Sequence, residues 1–114
     1  MERRKFPRVY CQIPIEFYLP LPEPSGKFLR GQGVLINFSQ GGVYFRYEGP
    51  TPMEEGQVGD CVITRTQRRD YPFFPSVIRA KCRVVRLESS ISASNYCGVA
   101  LEFLSSPMLN FRRD

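Results

Sequence analysis

Two short stretches gather the residues of this chain best suited to polar chemistry. In NFSQGG, residues 37–42, Asn37 carries an amide and Ser39 a hydroxyl, and Gly41 and Gly42 follow without side chains. In MERRKFPR, residues 1–8, Arg3, Arg4 and Arg8 carry guanidinium groups, with Arg4 and Arg8 four apart around Phe6. Amides and hydroxyls both donate and accept hydrogen bonds, and a guanidinium donates from a rigid planar fork. Taken separately, each stretch has an ordinary reading. Asn and Ser bond back to local backbone and Gly supplies the left-handed conformation, so NFSQGG reads as a β-turn. Asn37-Phe38-Ser39 also has the form of an N-glycosylation acceptor, which requires a secretion that the charged N-terminus argues against. The arginines alone read as a solvated terminal arm, in which Pro7 keeps Phe6 extended rather than helical.

Composition removes several other chemistries. The chain contains no histidine, so a His-based nucleophile triad is impossible and the usual zinc constellations lack their ligands. Cys11, Cys61, Cys82 and Cys97 lie far apart with no C-x-x-C pair. In a reducing compartment they are most simply small buried apolar residues. No enzyme activity, metal or cofactor is expected. The opening MERRKFPRVY is charged where a signal peptide needs an apolar run, and no later run approaches a membrane span. The expected location is the cytoplasm, without membrane insertion. Sixteen Lys and Arg against eleven Asp and Glu give a net charge of +5, a modest excess that points to an anionic partner only where the positive charges cluster.

The elements that must position these residues follow from a dominant period of two. With 114 residues, 42% of them apolar, the chain fits one domain around one core. In VYCQIPIEFYL, residues 9–19, the odd positions are apolar and the even ones polar or amphipathic, giving a half-buried strand in which Pro14 suggests an edge or a bulge. A proline-rich connection follows at 20–26. A second strand is predicted over 28–38 with Val34, Ile36 and Phe38 on one face, and Gly31 and Gly33 suggest a bend or bulge within it. GVYFRYE places Val43, Phe45 and Tyr47 on one side. Residues 58–66 are a further strand, and QRRDYPFFP is a longer connection containing Tyr71, Phe73 and Phe74. SVIRAKCRVVRLE alternates Ile78, Ala80, Cys82 and Val84 against Arg79, Lys81 and Arg83. NYCGVALEF turns Cys97, Val99, Leu101 and Phe103 inward. At the end, Ser106 as an N-cap and Pro107 at the first helical position predict one short helical turn. Six strands with turn signals between them indicate an all-β domain, a six-stranded antiparallel β-barrel that removes most sheet edges. The predicted organisation is an arginine-rich arm at 1–8, a barrel at 9–104 and a short C-terminal helix or tail at 105–114.

The two polar stretches together carry a resemblance. Arg4-x-x-x-Arg8 ahead of the first strand, with Asn37-x-Ser39-x-x-Gly42 at the end of the second, resembles the paired RxxxR and (D/N)xSxxG signature of PilZ domains. CRVVRLE and NYCGVALEF resemble the late strands of the same family, so the likeness covers essentially the whole chain. PilZ domains are small β-barrels, many of which bind the bacterial second messenger cyclic di-GMP. The resemblance implies that Arg4 and Arg8 close over that ligand while Asn37, Ser39, Gly41 and Gly42 meet it on the barrel surface. Guanine O6 and N7 offer two acceptors to a guanidinium fork, and arginine also lies flat on a purine or pairs with phosphate. Position 37 is Asn where many members have Asp, which leaves one strong acceptor fewer. Arg3, just ahead of the motif, implies by the same analogy an intercalated pair of ligands rather than one.

The outward stripe Arg79, Lys81, Arg83 reads first as a solvated strand face; Arg83 and Arg86 are the residues that would extend the phosphate-facing surface. The expected function is a cyclic di-GMP receptor that relays the signal by conformational change to an unidentified protein partner. Two alternatives stand beside it: a PilZ-like adaptor for protein–protein contact, and, less favoured, a basic barrel for single-stranded nucleic acid.

Overall fold

The computed structural model describes residues 9–21, 26–49, 53–66, 75–89 and 96–110. The arm with Arg3, Arg4 and Arg8, the connection with Tyr71, Phe73 and Phe74, and the last four residues lie outside the described residues. Seven strands are present: β1 (Val9–Pro20), β2 (Phe28–Ser39), β3 (Gly42–Glu48), β4 (Val58–Arg65), β5 (Val77–Ser89), β6 (Tyr96–Phe103) and β7 (Met108–Asn110). The first six coincide with the expected strands to within a residue at either end. They pair antiparallel in the order β4-β1-β2-β3-β6-β5, and a further β4–β5 pairing closes the ring. The barrel is therefore the closed six-stranded one that the alternation predicts.

One face of every barrel strand fills the interior. Ile13, Ile15, Phe17 and Leu19 of β1 meet Val43, Phe45 and Tyr47 of β3, with Ile63, Ile78, Cys82, Val84, Val99 and Leu101 completing the core. Phe17 is its centre: its ring centroid lies 4.9 Å from that of Phe45 and 5.0 Å from that of Tyr47. Cys61, Cys82 and Cys97 are buried, in keeping with packing residues. The contact with Cys82, together with burial, pushes the Cys61 thiol well above its ordinary pKa, so it stays protonated and inert.

Three expectations are corrected. The C-terminal segment makes no helical turn among the described residues: Met108–Asn110 is β7, paired with Val77–Arg79 of β5. The Asn110 carbonyl accepts from the Ser76 N–H at 2.7 Å and from its Oγ at 2.9 Å. An open ladder on β5 outweighs the local Ser-Pro helix signal. Second, Val34, Ile36 and Phe38 do not share a face. The β2–β3 register slips between Leu35 and Asn37, so Leu35 is fully buried, Ile36 is the extra residue, and Phe38 returns to pack on the core. That bulge lies at Ile36 rather than at Gly31 or Gly33. Third, the positive-φ glycines among the described residues are Gly26, Gly49 and Gly56, so the 37–42 corner turns without a left-handed residue.

Similar slips occur in β1 between Tyr10 and Ile13 and in β5 between Val84 and Arg86. The Pro14 signal thus marks a nearby bulge, not an edge, since β1 is flanked by β2 and β4. All three irregularities border one surface region.

Candidate functional site

The β2–β3 hairpin closes with Ser39 opposite Gly42. Ser39 Oγ accepts from the Gly41 N–H at 3.1 Å, and the Gly41 carbonyl accepts from the Phe103 N–H of β6 at 2.9 Å. The hydroxyl organises the turn and the carbonyl ties the corner to the barrel. Gly42 serves close approach. A Cβ at this position would lie 2.1 Å from the Leu101 carbonyl oxygen, so β3 and β6 can pair here only if residue 42 has no side chain.

Beside this corner lies an open groove of about 730 Å³ on the outer face of β2, β3, β6 and β5. Asn37, Ser39, Gly41 and Gly42 line one end and Arg86 the other, so five of the residues expected from the sequence come together here. Arg83 does not line it: its guanidinium is 3.7 Å from Glu102 on the neighbouring strand. The bulged residues Ile36 and Val85 form part of the wall. The volume suits a ligand of small-molecule to dinucleotide size.

Among the lining residues that were not expected, Tyr44, Arg46 and Glu88 form a connected polar cluster. Tyr44 Oη donates to Glu88 Oε1 at 2.6 Å and accepts from Arg46 Nε at 3.3 Å. The guanidinium carbons of Arg46 and Arg86 lie 5.7 Å and 5.9 Å from the Tyr44 ring centroid, bracketing the ring with positive charge. Arg86 Nε is also 3.5 Å from Glu88 Oε2. Partial burial raises the Tyr44 hydroxyl above its ordinary pKa, against the opposing pull of the Arg46 hydrogen bond. The hydrogen bond to Tyr44 raises that of Arg46. The phenol is therefore a neutral donor at physiological pH. Tyr44 and Arg46 were legible as the outward positions that alternate with Val43, Phe45 and Tyr47 directly after the corner. Glu88 was not, because the Val85 bulge resets the phase of β5.

The register also locates the start of β1. Val9 pairs with Phe38 and Tyr10 with Asn37, so β1 begins directly beside the corner. The basic stripe is partly balanced: Asp60 is opposite Lys81 and Glu102 opposite Arg83, while Arg79 faces Val62. Among the described residues no group of His, Cys, Asp and Glu could hold a metal ion, and no helix is long and apolar enough to cross a membrane.

Comparison with known proteins agrees with the architecture. A family model described as PilZ domain matches residues 2–113. Among solved structures, YcgR from Escherichia coli in complex with c-di-GMP superposes with a TM-score of 0.64 at 17% identity, over 92% of this chain and 39% of that one. The PilZ domain of YcgR with c-di-GMP gives 0.64 at 16% identity, over 91% and 79%. The K. pneumonia MrkH–c-di-GMP complex gives 0.61 at 15%, over 92% and 46%. The chain thus spans less than half the length of the YcgR and MrkH chains in these two complexes. At these identities the superpositions establish the shared fold. A search by sequence among curated proteins gives no significant match.

Proposed function

This chain belongs to the PilZ domain family, and from that premise we propose that it is a cyclic di-GMP receptor, not an enzyme. The observation that carries the reading is the juxtaposition at the corner. Asn37, Ser39, Gly41 and Gly42 line a groove of about 730 Å³, and β1 enters the barrel directly opposite Asn37. Arg8 is one residue ahead of Val9, and Arg4 is five residues ahead, a reach of at most roughly 17 Å for an extended chain. A tether of that length allows both guanidinium groups to reach the groove mouth. In this reading Asn37 accepts from a guanine N–H, Ser39 meets a phosphate, and Arg4 and Arg8 engage guanine O6/N7 or phosphate from above. Arg3 adds charge for a second, intercalated ligand, and Arg86 supplies a further phosphate contact from the far wall. Structures titled as c-di-GMP complexes share this fold, which supports the ligand assignment.

Ligand binding would hold the arm against the barrel and so present a changed surface to a protein partner in the cytoplasm. The single-stranded nucleic-acid alternative is less well supported, because Asp60 and Glu102 offset part of the outward basic stripe.

Titration calorimetry tests the reading. Each charge-assisted hydrogen bond contributes roughly 1.5–3 kcal/mol, so Arg4→Ala and Arg8→Ala are each expected to weaken cyclic di-GMP binding about tenfold or more, and Asn37→Ala, which removes a neutral acceptor, by roughly two- to tenfold. Unchanged affinity in all three defeats the site assignment. Absence of any nucleotide binding by the wild type leaves the adaptor reading. Binding to an oligonucleotide that falls steeply with salt and ignores position 37 points to nucleic acid instead.

A further inference from the structure

The groove is lined by two carboxylates that the receptor reading does not use, Glu88 and Glu102, and Glu88 is the one bonded to an aromatic side chain, Tyr44. A ligand with two phosphodiesters is repelled by Glu88 unless it places hydrogen-bond donors against that side chain. We propose, on the basis of the receptor reading, that Glu88 reads the Watson–Crick edge of one guanine while Tyr44 holds its carboxylate in place, so that this pair sets guanine specificity.

The geometry supports a built recognition element. Tyr44 is held from three sides: by its 2.6 Å hydrogen bond to Glu88, by Arg46 at 3.3 Å, and by β6 beneath it. The strand lets the ring settle because residue 98 is glycine. A Cβ there would lie 2.3 Å from Tyr44 Oη. Arg86 holds the second carboxylate oxygen at 3.5 Å. Glu88 is thereby fixed in orientation, and each oxygen keeps a lone pair for a further donor. Tyr44 and Glu88 also line an adjoining groove of about 520 Å³ with Val34, Ile36 and Tyr96, whose apolar surface suits the flat faces of a base.

Guanine N1–H and N2–H₂ are two parallel donors that match the two carboxylate oxygens. Adenine in the same position turns its N1 lone pair toward Glu88 and offers only the N6 amine. Glu88 is exposed in the groove, and a guanine seated there would cover and satisfy its oxygens where an adenine would oppose them.

The test compares cyclic di-GMP with cyclic di-AMP by calorimetry on the wild type, Glu88→Gln and Asn37→Ala. The wild type is expected to prefer the guanine ligand by at least about tenfold. Glu88→Gln keeps the size and the Tyr44 contact but replaces one acceptor with a donor. It is expected to weaken cyclic di-GMP about tenfold and narrow the preference correspondingly, without loss of cyclic di-AMP binding. Equal wild-type affinity for the two ligands overturns the proposal, as does a Glu88→Gln variant with an unchanged preference or tighter cyclic di-GMP binding. If the wild type binds cyclic di-GMP and Asn37→Ala weakens it while Glu88→Gln does not alter it, this inference fails and the receptor reading stands. If the wild type binds neither ligand, both fail together.

Discussion

Gly42→Ala is expected to remove cyclic di-GMP binding and to lower stability by about 1–3 kcal/mol. The added methyl would sit 2.1 Å from the Leu101 carbonyl oxygen and 3.3 Å from the Glu102 Cα, both backbone atoms that no rotamer change can move aside. The start of β3 must therefore lift from β6. That displacement takes with it the Gly41 carbonyl bonded to Phe103 and the Gly41 N–H bonded to Ser39. The corner loses its shape and the groove its wall. Calorimetric titration should give no measurable affinity, and thermal unfolding a lowered midpoint. A variant that melts and binds as the wild type does would show that close strand approach at residue 42 is unimportant to the site.

Phe17→Ala is expected to have the largest effect on stability and little on recognition. The ring is 1% exposed and packs on Phe45 and Tyr47 in the barrel centre. Truncating such a residue costs about 3–5 kcal/mol in lost transfer energy and in the cavity left behind. For a chain of this size that lowers the unfolding midpoint by roughly 12–20 °C, out of a total stability of roughly 5–15 kcal/mol. The groove lies on the outer face of the barrel, so the folded fraction should bind with near wild-type affinity. Chemical denaturation with a parallel titration of the folded protein checks both halves. The two variants thus separate loss of the corner from loss of the core.

The strands were legible because each carries a stretch of period-two alternation between turn signals, and each buries one face. Barrel closure followed from six strands with almost no helical period, because a closed ring removes most sheet edges. The bulges were not legible in detail. An extra residue at Ile36 or Val85 is decided by the partner strand's ladder, and a local alternation carries no record of it. That same limitation hid Glu88, whose phase depends on the Val85 slip. The fate of residues 108–110 was likewise non-local: Ser106 and Pro107 favour a helix start, but the free edge of Val77–Arg79 recruits the segment as β7. At the site, Asn37, Ser39, Gly41 and Gly42 could be found from their spacing, while Tyr44 and Arg46 required only that the alternation of β3 be read outward as well as inward. The glycines of the corner were identified for the wrong reason, a left-handed turn, when Gly42 is needed for interstrand contact.

The central claim is that the Asn37–Gly42 corner and the arginines ahead of β1 jointly hold one guanine and its phosphate. A crystal structure of the protein with cyclic di-GMP tests this most directly. The account predicts a guanine against Asn37 and Ser39, with Arg4 and Arg8 within hydrogen-bonding distance of the base edge or the phosphodiester. Ligand density elsewhere on the barrel, or a ligand at the corner untouched by either arginine, would contradict it.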